Sequence, residues 1–414
     1  GNNAYFNHPK GNSLRLHQLS LHTKQSISNQ AITSDAYRLA ACYHNSLAPD
    51  AQPDIDELTI ENCRIYGHVA LRYNGNISDP LLTQKGIKNI RIIKNQFINT
   101  ANFFELSNAG YDETVIRNNH IRDNAGITFF FPIGGRGFDH SALADSRRVL
   151  FFEDNTAKNS RAIVPIDKNY LSPIIAKGRD FHVKNNRIEN QLTLQPSVAA
   201  YGFYCSASNV LHIEGNYIRN CGGISSNEII NESSLLKLKG AQNAEIRKNE
   251  FIFDEEGLVL LGLIKPGQKP SNVKASSFKF SLWDHWRTPS LDSTTWLTVE
   301  DNTFKTSVLS DFTYLFNANL KAINNKFLIE HFLEAPLDNW KQQSIRLPFT
   351  FFYLRSPIKN GHLEFRDNLF EVKSADGSPF YLTHNMNDDK SFSTVIYKNN
   401  VFDLPGPIAL DILR

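Results

Sequence analysis

Ile213-Glu214-Gly215-Asn216-Tyr217-Ile218, Ile246-Arg247-Lys248-Asn249-Glu250-Phe251 and Val299-Glu300-Asp301-Asn302-Thr303-Phe304 are one hexapeptide written three times. Each holds an apolar residue, two polar or small residues, an Asn, any residue and a second apolar residue. Anchored on the Asn, copies recur at Asn95, Asn119, Asn155, Asn186, Asn216, Asn249, Asn302, Asn325, Asn368 and Asn400, and Cys63 fills the same slot in Ile60-Glu61-Asn62-Cys63-Arg64-Ile65. The shortest spacings, Asn95 to Asn119 and Asn302 to Asn325, are 24 and 23 residues and bound the minimal unit. Longer spacings are that unit plus insertions.

A unit of this length fits a leucine-rich repeat or one coil of a β-solenoid. The apolar slots are mostly Ile, Phe and Val in period two, which is strand chemistry. The polar pair and the Asn make a tight bend, because Asn tolerates left-handed backbone. Coils stacked in register would align the Asn amides into a hydrogen-bonded ladder. We therefore read an all-β chain, a single-stranded parallel β-helix of about 11–12 coils. A propeller or sandwich would need hairpin signals, and Asn-Gly occurs only at Asn74-Gly75 and Asn360-Gly361.

The 414 residues would permit several domains. The repeat argues for one elongated domain over 1–414, with irregular N-terminal coils in 1–56, regular coils over 57–404 and an end segment over 405–414. Hydrophobic residues are 41% of the chain, and 29 Phe with 14 Tyr fit aromatic rows stacked inside a solenoid. A net charge of +2 gives no reason to expect a nucleic-acid partner. No apolar run reaches transmembrane length, so no membrane insertion is expected. The chain opens Gly1-Asn2-Asn3, which we read as a leader already removed, and the expected location is secreted, periplasmic or cell-surface. Cys42 and Cys63, and Cys205 and Cys221, are near enough in sequence to form two disulfides. Buried free thiols are the preferred reading, and no metal-site spacing is present.

Each coil should run as a strand after the Asn, a middle strand and a strand leading into the next Asn. Middle strands are expected at Tyr37–Ala41, Val69–Tyr73, Phe103–Ser107, Ile127–Phe131, Arg161–Val164, Tyr201–Cys205, Leu235–Lys239, Leu258–Gly262, Phe312–Phe316, Phe349–Tyr353 and Phe380–Thr383, with a last strand at Ile408–Ile412. Alternation turns Arg72, Glu105, Lys237 and Lys239 outward. Insertions after the middle strand cover 132–147, 167–178, 263–294 and 384–392. Those before it cover 191–198, 222–233 and 331–347. Both sets flank one sheet and would wall a groove suited to a chain-like ligand.

These hexapeptides resemble the right-handed parallel β-helix superfamily typified by pectate lyases, over roughly residues 55–404. The resemblance implies polysaccharide binding along the outer groove, by lyases, glycoside hydrolases, epimerases or tailspike depolymerases. The motifs of individual families are absent: polygalacturonase-like hydrolases carry Gly-His-Gly, an Asp pair and Arg-Ile-Lys, whereas this chain has Gly67-His68-Val69 and Gly361-His362-Leu363 and no Arg-Ile-Lys. No Asp cluster of the calcium-binding kind is evident, so no metal ligands are assigned; the cofactor stays unknown and a calcium ion stays open.

A uronate lyase needs a base for the proton beside the carboxylate and cations to neutralise that carboxylate. Arg136, Asp139 and His140, in the glycine-rich Pro132–His140 run, are candidates, as are Lys237 and Lys239 on the sheet floor and Glu105. Arg72, Asp167, Lys168, Tyr201, Tyr204, Glu228, Glu232, Trp283, His285, Trp286 and Arg287 are candidate substrate contacts. Trp283-Asp284-His285-Trp286-Arg287 is expected in the longest loop, where indoles would pack on sugar C–H faces. Glu228 or Glu232 with Glu105, Asp139 or Asp167 would be the carboxylate pair of a hydrolase. His182 and His212 are expected on the surface or stacked. The preferred function is a lyase on a uronate polymer. The alternatives are a glycoside hydrolase, or a non-catalytic adhesin or tailspike-type β-helix. Oligomeric state is open.

Overall fold

A computed structural model describes residues 13–22, 39–44, 55–67, 69–74, 87–100, 103–107, 111–131, 148–162, 170–193, 199–223, 234–240, 243–273, 281–286, 296–309, 311–316, 319–332, 349–355, 361–375, 380–385 and 392–409. Among these residues every strand pairing is parallel, and each strand pairs with its counterpart one coil away. The post-Asn strands form a twelve-stranded sheet. The middle and pre-Asn strands together form a 22-stranded one, because Tyr170–Lys184 and Ala199–Glu214 run through both without a break. The chain is a parallel β-helix with twelve coils among the described residues.

The Asn corner explains the repeat. Asn95 Nδ2 donates to Asn119 Oδ1, and the same amide-to-amide bond, 2.9–3.0 Å long, continues through Asn155, Asn186, Asn216, Asn249, Asn302, Asn325 and Asn368 to Asn400. Each Oδ1 also accepts the backbone N–H of the preceding anchor. The spare Nδ2 proton goes to a strand carbonyl, as from Asn95 to Ile60 at 2.9 Å. A bend in the middle of a core leaves such groups without partners, and the stacked amides supply them. At Cys63 only the backbone N–H joins the ladder, donating to Asn95 Oδ1 at 2.9 Å. One expectation is corrected. The left-handed residue is the one before the anchor, namely Asn62, Lys94, Asn118, Asp154, Asn185, Gly215, Lys248, Asp301, Asn324, Asp367 and Asn399, all with positive φ. No anchor Asn has positive φ, and each points its amide into the ladder.

The core slot two residues past each anchor differs along the chain. It holds Ile65, Phe97, Ile121, Ala157, Ile188 and Ile218, then Phe251, Phe304, Phe327, Phe370 and Phe402. The five phenyl rings stack with centroids 4.6–5.1 Å apart. The strand spacing of about 4.8 Å is the distance at which rings stack, so equivalent positions in successive coils form aromatic rows directly.

Several expected strands are corrected. Leu258–Gly262 is not a middle strand: Glu255–Leu260 is an α-helix, capped by Asp254, whose carboxylate accepts from the Glu256 and Gly257 amides. The acidic Asp254-Glu255-Glu256 start favours a helix N-terminus. The middle strand of that coil is Ser281–Trp286, inside the stretch expected to be a loop. Arg161 and Ala162 extend the post-Asn strand Thr156–Ala162, where Arg161 pairs with Leu192. The middle strand of that coil instead opens Tyr170–Lys184, so most of the expected loop 167–178 is strand. Gly178 there serves close packing rather than a turn, since a Cβ would lie 2.5 Å from the Tyr111 hydroxyl.

Cys63, Cys205 and Cys221 are buried free thiols, so the Cys205–Cys221 disulfide is ruled out, and with Cys63 free so is its pairing with Cys42. Burial pushes the Cys221 thiol up to about 12 and Cys205 higher still.

Candidate functional site

Two outward faces carry chemistry. On the middle sheet, register joins residues from successive coils into one row: Arg72 pairs with Glu105, Glu105 with Phe130, Phe130 with Ile175, Ile175 with Tyr204, Tyr204 with Lys237, and Lys237 with Asp284. The parity is outward where burial decides it. Glu105 lies between Phe104 and Leu106, and Tyr204 between Phe203 and Cys205, all core residues. Four expected site residues, Arg72, Glu105, Tyr204 and Lys237, thus share a row. Lys239 pairs with Trp286 in the next one.

Tyr201 and Tyr204, read as candidate substrate contacts, are buried. They are 2% and 8% exposed and pack with Ile127, Ile175 and Phe130 in an apolar cluster separate from the main core. Consecutive coils put aromatic and β-branched side chains in adjacent register, and these exclude water from one another. Glu105, half-buried, borders the cluster through Phe130.

Trp283, His285 and Trp286 lie on the strand Ser281–Trp286, not in a loop. Trp283 and His285 pair with Leu236 and Leu238, both fully buried, so they occupy register positions of the inward rows. Arg136, Asp139, His140, Asp167, Lys168, Glu228, Glu232 and Arg287 lie outside the described residues. In chain order Asp167 and Lys168 precede the middle strand of their coil instead of following it. The wall expected after the middle strand has no loop at Tyr170–Lys184 and Ala199–Glu214, where strand runs on into the pre-Asn sheet.

The pre-Asn sheet presents the second face, which the sequence reading passed over. A ladder of alternating charge crosses it through Arg117–Glu153, Lys184–Glu214 at 3.7 Å and Arg247–Glu300 at 3.3 Å. Beside the ladder, Phe151 stacks on His182 at 4.9 Å, and His182 lies 6.0 Å from His212. His212 Nε2 is 3.1 Å from Glu214 Oε2. Burial, with His212 and Lys184 nearby, holds His182 below the ordinary histidine range. Burial pulls Glu214 upward, but hydrogen bonding and charge from His212, with Lys184 and Lys248, hold its carboxyl below the usual range.

Farther along, the same face gathers Trp296, Lys321, His362, Glu364 and Arg366. Lys321 Nζ lies 4.4 Å from the Trp296 ring centroid, and the His362 ring lies 5.3 Å from it. Glu364 accepts from Arg366 and contacts His362 Nε2 at 3.3 Å. The period-two run His362-x-Glu364-x-Arg366, polar on its outward side throughout, was the available signal.

Among the described residues no group of three or more His, Cys, Asp or Glu is placed to hold a metal, and no helix is long and apolar enough to cross a membrane. No family model, curated protein or solved structure matches this chain.

Proposed function

We propose that this parallel β-helix binds an acidic polysaccharide lengthwise across the outer face of its middle sheet and cleaves it as a uronate lyase. The observation that carries the reading is the register row from Arg72 through Glu105 and Tyr204 to Lys237. It advances about 4.8 Å per coil, so a polymer laid across the strands would run along it. Cations at Arg72, Lys237 and Lys239 would neutralise uronate carboxylates. Lys237 or Lys239 would also be the base that takes the adjacent proton. The buried apolar cluster between Glu105 and Lys237 lowers the local dielectric and strengthens each such contact. Kinship with the pectate-lyase-like superfamily and a place of action outside the cytoplasm belong to the same proposal.

A hydrolase using the row's own carboxylates is disfavoured by geometry. Glu105 and Asp284 stand five coils apart, about 24 Å at the usual strand spacing. Paired glycosidase carboxylates stand about 5–9.5 Å apart.

The test is incubation with a panel of uronate polymers. New ultraviolet absorbance from an unsaturated product is expected, with Lys237→Ala and Lys239→Ala reducing it by roughly 100-fold, the scale of general acid–base catalysis. New reducing ends without that absorbance would replace the lyase by a hydrolase. Retention on polysaccharide gels with neither signal would leave a binding protein. Full turnover in Lys237→Ala, Lys239→Ala and Glu105→Gln would move the site off this row.

A further inference from the structure

We propose that Trp296, Lys321, His362, Glu364 and Arg366 form a second saccharide site on the outer face of the pre-Asn sheet, selective for a sugar that bears a carboxylate. The site lies on the outer face of the pre-Asn strands, not on that of the middle strands that carry the row, and the proposal stands or falls without it.

Three observations converge. First, Glu364 is a charged side chain on the outward side of its strand, between the core residues Leu363 and Phe365, yet it is only 6% exposed. Desolvating a carboxylate is costly unless donors meet it. Here His362 and Arg366, two residues away on either side, do so. The arrangement holds both donors in place before any ligand arrives.

Second, the local charge is unbalanced. Lys321 and Arg366 are register neighbours of Glu364 and Ile323, and Lys398 pairs with Arg366 in the next coil. At the outward positions of Asn319–Ile323, Gly361–Arg366 and Phe392–Lys398 one carboxylate stands against three cations, whereas the ladder at Arg117–Glu153, Lys184–Glu214 and Arg247–Glu300 matches charges one to one. The surplus is positive and favours an anion.

Third, an aromatic surface lies beside that surplus. Trp296 is half-buried, and its indole reaches the His362 ring two coils away, alongside Asn319, whose Oδ1 accepts the His362 backbone N–H at 2.7 Å. Lys321 Nζ sits over the indole, held by the ring's negative face. An incoming carboxylate can take that ammonium as a partner while the apolar side of the sugar ring packs on the indole. A uronic acid carries both features in one residue. A neutral hexose carries only the apolar face.

The experiment is calorimetric titration of the full chain with a short oligogalacturonate, with a maltooligosaccharide as the neutral control. The expected result is binding of the acidic sugar with a change in tryptophan fluorescence. Lys321→Gln should weaken it about ten-fold, as expected for loss of one charge-assisted contact. Trp296→Phe should remove the fluorescence change. Lys237→Ala should leave this site's binding intact, which separates it from the middle-sheet row. Equal affinity of wild type and Lys321→Gln would overturn the proposal, as would equal affinity for the neutral sugar or loss of the fluorescence change in Lys237→Ala alone. Lys321 is a surface residue, so its variant keeps the test decisive even where Trp296→Phe folds poorly.

Discussion

The coils from Cys63 to Asn216 and those from Asn249 to Asn400 share one Asn ladder but solve the rest of the coil differently. In the first set a second left-handed residue turns the post-Asn strand, at Gly67, Asn99, Asp123, Asn159, Asn190 and Asn220. Small polar side chains follow it into the interior: Thr100, Asn124, Ser160 and Gln191 are buried, with the Thr100 amide and hydroxyl both donating to Asn124 Oδ1. The core slot is mostly aliphatic. In the second set the left-handed turn is gone and stacked phenyl rings fill that slot. The changeover falls at Asp254, where Arg219 and Asn220 of the previous coil bind the carboxylate that caps the helix Glu255–Leu260. Leu258, Leu261, Ile264 and Val273 of the helix and the segment after it join the main core. One half is thus held at two polar corners, the other at one polar corner and an aromatic row.

Breaking the shared part should have the largest effect. Asn216→Ala removes the acceptor for Asn186 and the donor to Val183 and Asn249, leaving several buried groups without partners. At about 1–3 kcal/mol for each stranded group, a loss of roughly 3–5 kcal/mol is expected in urea denaturation. Asn400→Ala, at the ladder's end and half-buried, should cost less than half as much. Equal losses at both sites would mean that the amides act singly, not as a ladder.

The contrast in the core slot gives the next effect. Phe327, stacked between Phe304 and Phe370, should lose about 3–5 kcal/mol on Phe327→Ala, and Ile188→Ala about 2–4. Thermal unfolding of the pair measures the difference, and a larger loss at Ile188 would contradict the aromatic row as the stronger element.

The junction itself should respond to pH. Burial pushes Asp254 upward, but hydrogen bonds from Arg219 and Asn220, the nearby guanidinium and the Gly257 amide hold its carboxyl below the ordinary aspartate range. A depressed folded-state value stabilises above the unfolded pKa and is lost as pH falls through the folded one. Wild type should therefore lose stability on acidification more steeply than Asp254→Asn, as read from denaturation midpoints across pH. Parallel slopes would remove Asp254 from the linkage.

The smallest effect belongs to the corner. Gly215 has φ +66°, and a Cβ there would meet Asn185 Oδ1 at 2.6 Å. Gly215→Ala should cost about 1–2 kcal/mol, while the neighbouring corner at Lys248, already left-handed with a side chain, should tolerate Lys248→Ala with almost no change.

Much of the fold was legible because a stacked coil repeats its physics every turn. Asn95 to Asn400 could be read as a ladder since the Asn amide carries a donor and an acceptor and can repeat the same bond at each step. The left-handed residue stands one position before the anchor, and at Asn62, Asn118 and Asn185 it is itself an Asn, so residue type does not separate the two positions. The expected loop 167–178 holds Ser172-Pro173 and Lys177-Gly178, yet both pairs sit within the strand Tyr170–Lys184. There the Ser172 hydroxyl donates to the Ile174 carbonyl, and Gly178 makes room for Tyr111. The apolar run Leu258–Gly262 looked like the strand it displaces, although Asp254-Glu255-Glu256 announced a helix.

Of the candidate site, the sequence pointed to the middle sheet and to Arg72, Glu105 and Lys237 individually. It could not align them, since insertions of unequal length separate the coils.

From the sequence alone came the repeat, its polar corner and its strand periodicity, because each is local and recurs with every coil. Only the tertiary structure decided which residues from different coils meet. Register across coils depends on where each strand starts after its insertion, and that start is set by packing against the coil beneath. Tyr204 therefore falls beside Lys237, and Glu364 is buried among Lys321, His362 and Arg366.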